Sequence, residues 1–486
     1  MRFGLFAVLA ALSFTPLAHA ADDLPVWFDG DKPNARAQVL LKVLRAAGEH
    51  GLDPAWYAVP DADKATTEKR LTEVLVAYVS DVSTGRVRAN KVDKDINIEQ
   101  RKVERDEILK AAADATDLTA WLANLAPKGD YAALQKALAA WRDKVGKDTQ
   151  TSVPAGVALK PGMTDARFPA LRKRLAELGY PTAEPLPATN AYDESLVAAI
   201  KQYQETNGLT VDGVIGDNTR RSLNITVEDR IEQIVANLER RRWLPEDFGP
   251  RYVYVNVADY SMVFVDDGKR VFESLVIVGT PKDPTPEISS TMRGFQINPY
   301  WTVPQSIAGE EYLPLLRRDA RALSGTGFRI FSSWSDDIEL DPTTVDWNAI
   351  HPKQFPYRIR QEPGAQNALG YIFFPFSNKY GIYMHDTANR FLFTEGSRNF
   401  SHGCIRLKNP LDFVELVFKG RNGFSKERVR KAIDEAQQHH YAFPEAVTLH
   451  VTYRTVAIGA DGEPVFRDDV YGRDKRVVKA MAGGAI

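Results

Sequence analysis

Apolar residues return every three to four positions from Asn34 to about Trp141: Val39, Leu40, Val43 and Leu44, then Leu71, Val74, Leu75 and Tyr78, then Leu118, Leu122 and Leu125. That period lines one helical face, so the pattern predicts a run of amphipathic helices with turns at Asp53-Pro54 and Pro60-Asp61. Gly146 to Gly162, with Pro154, Gly156 and Pro161, reads as a linker. Residues 164–224 then read as a compact unit of three helices. The first carries Phe168, Leu171, Leu175 and Leu178 and ends at Gly179; the second is opened by Asp193 as an N-cap and carries Leu196, Ile200 and Tyr203. The third runs from Asn218 to Leu223, and helix resumes from Val227 to about Arg242. The small unit therefore reads as inserted into a helical domain. From Arg251 the texture becomes that of strands: Tyr252–Val257, Met262–Val265, Phe272–Val278, Phe295–Ile297, Ile372–Phe374, Ile382–Met384 and Val447–Val451. A less regular stretch, about 305–368, interrupts them. A long irregular insertion in a compact β domain is more often a lid or binding loop than filler.

The expected fold class is multidomain α+β. A helical scaffold covers 21–160 and resumes at 225–249, a three-helix unit covers 161–224, a β-rich domain with a capping insertion covers 250–475, and 476–486 is a tail. Residues 1–20, MRFGLFAVLAALSFTPLAHA, have a basic start, an apolar run and Ala18-His19-Ala20, which reads as a cleaved export signal. No later stretch approaches the ~18 apolar residues of a membrane helix. The chain is therefore expected to be exported, without a transmembrane segment, to the periplasm. Its formal net charge of -2 argues against nucleic acid as a partner.

Chemistry enters with the one cysteine of the 486-residue chain. Exported proteins usually pair their cysteines or avoid them, so a single unpaired thiol there suggests use. Cys404 lies in Ser401-His402-Gly403-Cys404-Ile405-Arg406-Leu407, with His385 upstream. A thiol nucleophile needs an imidazole to create its thiolate and N–H donors aimed at the developing oxyanion. Glycine before the sulfur lets the chain turn sharply and leaves such donors free. Spacing alone does not say whether His385 or His402 is the base. His50, His351, His439, His440 and His450 have no comparable setting.

His385 followed by Ser401-His402-Gly403-Cys404 resembles the signature of the L,D-transpeptidase family with its YkuD-type catalytic domain. Agreement extends to Asn298-Pro299-Tyr300-Trp301-Thr302-Val303-Pro304, to Asn378-Lys379-Tyr380-Gly381-Ile382-Tyr383, and to Phe466-Arg467-Asp468-Asp469-Val470-Tyr471-Gly472. The loop Gly208-Leu209 through Asp212-Gly213, Gly216 and Thr219 is similar to the last loop of small peptidoglycan-binding domains. Together these imply the large periplasmic type, with scaffold and peptidoglycan-binding domains. The resemblance implies Cys404 as nucleophile, His385 as proton acceptor and donor, and His402 and Gly403 shaping the turn. It implies an oxyanion hole at the Gly403 and Cys404 N–H groups, and substrate contacts from Arg406, Tyr383 and Ser401. Arg406 stands where many members carry asparagine. No cofactor or metal is implied; the partners are a donor tetrapeptide stem and an acceptor stem, joined as a 3-3 cross-link. The family is also a carbapenem target.

Three rival classes bear comparison. A serine transpeptidase needs Ser-x-x-Lys and Lys-Thr-Gly, and neither occurs in the chain. A zinc hydrolase could recruit His385, His402 and Cys404, but no His-Glu-x-x-His or other tight ligand pair supports it. A non-catalytic wall-binding protein would not need the intact Cys/His pair. Within the enzyme class an amine acceptor gives transfer, whereas water gives an L,D-carboxypeptidase.

Overall fold

The computed structural model describes residues 24–147, 150–180, 182, 189–207, 209–419, 421, 424–436 and 438–484. The expected export signal lies outside them. The chain separates into two compact units. One comprises the residues described up to 48 together with 53–83 and 102–126; the other comprises 49–52, 84–101 and everything from 127 onward.

The first unit is helical. Asn34 caps the helix Ala35–Arg45 by accepting from the Ala37 N–H, and Leu40 and Leu44 are buried on its inner face. The long helix Lys64–Thr84 buries Leu71, Val74, Leu75 and Tyr78, the residues that the period selects. Each such side chain, fully buried, contributes about 1.5–3 kcal/mol.

The second unit is built on a ten-stranded sheet. Its strands run in the order Ile372–Phe374, Met384–His385, Ile405–Leu407, Lys269–Gly279, Ser261–Asp266, Tyr252–Asn256, His439–Thr452 and Glu287–Ile297. Glu287–Ile297 also pairs with Ile372–Phe374, which closes the sheet into a barrel-like wall. Ile96–Asn97, distant in sequence, adds to its edge through Ile96 opposite Glu287, and the tenth strand, Asn399–Ser401, pairs in parallel with Lys269–Gly279 off that path. Val253, Val255, Met262, Phe264, Val276, Val278 and Phe295 alternate inward and fill the core. One expected strand moves. Ladder pairing starts at Met384 rather than Ile382, because the Asn378 side chain accepts from the Ile382 N–H and donates to its carbonyl at 2.7 Å.

The insertion is more ordered than its sequence texture. Trp301–Thr302, Arg358–Gln361 and Phe328–Phe331 form a separate three-stranded sheet. Val303, Leu313, Leu316, Ile330, Trp347, Phe355 and Ile359 pack a core of their own. Its strands are two and four residues long, too short to display alternation. Running into the expected tail, Arg473–Ala482 is a helix that buries Arg473, Asp474, Val477 and Met481. Arg473 pairs there with Asp93 at 3.3 Å and Glu287 at 3.2 Å, so buried charge pairs dock it together with Val477 and Met481.

The helices Phe168–Glu177, Glu194–Thr206 and Asp217–Leu223 enclose a core of Phe168, Leu171, Leu175, Leu196, Ile200 and Tyr203. Buried Gln204 explains the loop motif. Its amide donates to Asp212 at 2.9 Å and to the Val214 carbonyl at 3.0 Å, and accepts from the Gly213 N–H at 2.9 Å. Those motif residues hold the loop's shape and are satisfied within it. The loop also touches the β-rich region: a Cβ on Gly396 would stand 2.5 Å from the Thr210 nitrogen.

Candidate active site

Met384–His385 runs parallel to Ile405–Leu407, with Met384 opposite Ile405 and His385 opposite Arg406. Cys404 therefore enters the sheet one residue before its strand, alongside Tyr383. The Ile405 N–H donates to the Tyr383 carbonyl at 3.0 Å, which locks that register. The parallel pairing is what brings together residues nineteen apart in sequence. The Tyr383 and His385 rings lie 5.6 Å apart on one side of their strand.

The turn before the sulfur is held from within. Gly403 sits at φ +97°, where an L side chain is strained, and a Cβ there would meet Ile382 at 3.3 Å. Ser401 is buried, and its hydroxyl donates to the Cys404 carbonyl at 2.5 Å. That hydroxyl, expected among the substrate contacts, closes the turn.

The two histidines flanking the sulfur have different surroundings. His385 is 4% exposed, and its Nδ1 is buried without a hydrogen-bond partner. Burial first, and the Arg406 charge second, push its pKa down to about 3, against backbone groups of Asp386 and Leu369 that pull the other way. His402 is half-exposed and pairs through Nε2 with Glu311 of the insertion at 2.6 Å. Beside that contact Lys282 pairs with Glu310 at 2.7 Å. Both carboxylates lie on the π turn Ala308–Tyr312.

Burial pushes the Cys404 thiol up to about 11, although the Tyr383 backbone and hydroxyl and the Arg406 charge all favour its thiolate. Arg406 has its Nε buried and unpartnered, and burial lowers its own pKa. Burial likewise raises that of Tyr383. Neutral pH lies between the two values, so the resting pair is a thiol and a neutral imidazole. Desolvation outweighs the nearby charge that favours the thiolate. A neutral imidazole can accept a proton, and a buried thiol can lose one as bond formation begins.

Arg406, Tyr383, His385 and Cys404 thus come together, whereas His402 faces the insertion. Among the described residues no group of three or more His, Cys, Asp or Glu side chains is placed to hold a metal. Sequence reasoning missed Glu311 as the partner of His402, since nothing in an irregular stretch singles out one acid. It also missed Thr285, a buried hydroxyl that donates to the Gly403 carbonyl at 2.8 Å.

Family models match three stretches: an L,D-transpeptidase catalytic domain (YkuD) over residues 250–423, a scaffold domain over 19–138, and a "Putative peptidoglycan binding domain" over 164–223. A Haemophilus influenzae protein named "Putative L,D-transpeptidase" is 29% identical over 259 residues, covering 53% of this chain. The match covers 50% of that relative, so the chain spans about half the length of the curated protein it resembles. Solved structures include an L,D-transpeptidase from Xylanimonas cellulosilytica at 16% identity and TM-score 0.18, covering 62% of this chain and 99% of that one. Another, from Mycobacterium smegmatis, has 14% identity and TM-score 0.21, covering 42% and 58%. At such scores the overlays establish no shared arrangement.

Proposed function

We propose that this chain, which carries a YkuD L,D-transpeptidase catalytic domain with a scaffold domain and a peptidoglycan-binding domain, forms 3-3 cross-links between peptidoglycan stems. The observation that carries the reading is the unpaired, partly buried Cys404 at a glycine turn, one strand away from the buried His385. Cys404 Sγ attacks the carbonyl of the third residue of a donor tetrapeptide while His385 takes the thiol proton. The Gly403 and Cys404 N–H groups hold the tetrahedral oxyanion. Collapse breaks the bond to the terminal D-alanine, whose amine leaves with the proton from His385, and a thioester remains. The side-chain amine of diaminopimelate on a second stem then attacks the thioester. Its proton passes through His385 to the departing sulfur, which restores the thiol.

Transfer rather than hydrolysis is supported by the folded insertion, whose own core lets it act as a rigid cover that limits water. A cavity of about 920 Å³ runs between Arg220 and Arg221 of the small helical unit and Asn399, two residues before Ser401. It offers wall polymer a path from the binding unit toward the turn, and such tethering raises the local concentration of acceptor stems. We place the protein in the periplasm, associated with the wall, after loss of residues 1–20. The test is direct. Purified protein given a disaccharide-tetrapeptide should yield a dimer lighter than two monomers by one free alanine. Tripeptide monomer alone, at high acceptor concentration, would make it an L,D-carboxypeptidase.

A further inference from the structure

The Thr285 hydroxyl is fully buried. It accepts from the Gly279 N–H at 2.9 Å and donates to the Gly403 carbonyl at 2.8 Å. Those contacts fix its hydrogen, because its one O–H points at Gly403. The Thr285 backbone is fixed in turn by Tyr471. The Thr285 N–H donates to the Tyr471 hydroxyl at 3.1 Å, and that hydroxyl donates to the Gly279 carbonyl at 2.7 Å. Burial lifts the Tyr471 phenol to about 12, so it remains a donor across the working pH range. Tyr471 stacks on Tyr453 with centroids 5.3 Å apart, and the Arg473 guanidinium lies 4.9 Å from the Tyr471 ring centre. Gly279 must be glycine for this to close, since a Cβ there would stand 3.0 Å from Gly403 Cα and 2.1 Å from the Asp283 carbonyl oxygen.

The held carbonyl belongs to the peptide unit that also contains the Cys404 N–H. That unit is planar and trans, so its C=O and N–H point in opposite directions. Anchoring the Gly403 oxygen toward Thr285, in the interior, directs the Cys404 N–H away from it. A hydrogen bond to the carbonyl also polarises the amide and strengthens its N–H as a donor. We infer that Thr285, held by Tyr471 from beyond the matched catalytic stretch, is a positioning residue that aims the Cys404 N–H at the oxyanion of acyl transfer. The inference rests on the reading of Cys404 as the nucleophile. It assigns the role to Thr285, a loop threonine, and to Tyr471 of the Phe466–Gly472 stretch.

The experiment compares two reactions of Cys404 in the full chain. In acetylation by p-nitrophenyl acetate, sulfur adds to the ester carbonyl, His385 takes the thiol proton, and p-nitrophenolate leaves with the electrons of the broken C–O bond. That path passes through an oxyanion. Alkylation by iodoacetamide displaces iodide at a saturated carbon and forms none. Rates for C404A are subtracted from both. T285V should slow acetylation at least about tenfold, short of the 10²–10³ lost when an oxyanion donor is itself removed, while alkylation stays within about twofold. T285S, which keeps the O–H, should stay within about threefold of wild type in both. Equal slowing of both reactions, no slowing of acetylation, or a T285S as slow as T285V would overturn the inference. Should T285V not fold, Y471F decides by the same ratio: acetylation slowed about threefold with alkylation unchanged supports it, and an unchanged ratio overturns it. Failure of the proposed function reads differently. Wild-type protein would then be acetylated at Cys404 yet make no stem dimer, or would not be acetylated at all.

Discussion

Two regions flank the sulfur, and each presents a histidine. At the end of Met384–His385 the imidazole is buried, neutral and without a partner on Nδ1. On the turn, His402 is half-exposed and paired with a carboxylate from the insertion. Proximity in sequence favours His402, two residues from Cys404; the fold favours His385. A strand end inside a barrel-like wall holds the imidazole in a fixed position and keeps it neutral and able to accept a proton, although the same burial lowers its basicity. A turn residue tied to Glu311 is suited to holding the insertion against the catalytic core. Residue type alone does not assign a role; the surroundings do.

The strongest way to break this contrast is to exchange the losses. His385→Asn should lower stem transfer by about 10²–10⁴, the usual worth of a positioned base. His402→Asn should cost less than about tenfold under the same conditions. The reverse ranking, in a coupled assay of D-alanine release, would move the base to the turn.

Gly403→Ala attacks the turn without touching either imidazole. An L residue at φ +97° costs roughly 1–2 kcal/mol, and the new methyl would press on Ile382. We expect acyl transfer to fall about tenfold, with the His385 pH response unchanged. Wild-type rates would show that the turn tolerates a side chain.

Proton linkage separates the regions more gently. His385 is depressed from 6.5 to about 3, so the unfolded state binds its proton first. Its contribution to stability is present above about 6.5 and is lost as pH falls toward 3. The thiol is raised from 9.0 to about 11, so its contribution is present below 9 and lost as pH rises through 11. Urea titrations of wild type and His385→Asn should differ in their acid dependence and agree above neutrality. Parallel acid curves would contradict a buried neutral imidazole. Iodoacetamide alkylation of wild type should still be accelerating above pH 9.

The smallest effect belongs to the exposed pair. Glu311→Gln keeps the shape and removes the charge; such pairs contribute about 0–1 kcal/mol. Acyl transfer should stay within about threefold, while protease cutting in 305–350 becomes faster. Unchanged cutting would leave the pair without a role in holding the insertion.

Much of this was legible in the chain, for identifiable reasons. Leu71, Val74, Leu75 and Tyr78 announce a helix because one face is buried, and Asp193 announces its helix because its side chain caps the Leu196 N–H. The pairing of His385 with the Ser401–Cys404 turn was legible as chemistry. Its protonation state was not, since burial depth depends on the whole barrel. The insertion looked irregular because its strands are too short to alternate. The helix Arg473–Ala482 was missed because charged Arg473 and Asp474 share its buried face with Val477 and Met481, which leaves too short an apolar stripe to read. Thr285 acts through one hydroxyl and leaves no periodic trace.

The central claim is that Cys404 alone carries the acyl group. Protein mixed with disaccharide-tetrapeptide, quenched in acid within the first turnover and cut with trypsin, reports on it by mass. Cleavage after Arg398 and Arg406 isolates Asn399–Arg406, which contains the thiol. The account predicts that this peptide alone gains the mass of the disaccharide-tripeptide less water, and that Cys404→Ala gains nothing. An equal adduct on the Cys404→Ala protein, or one on any other peptide, would contradict it.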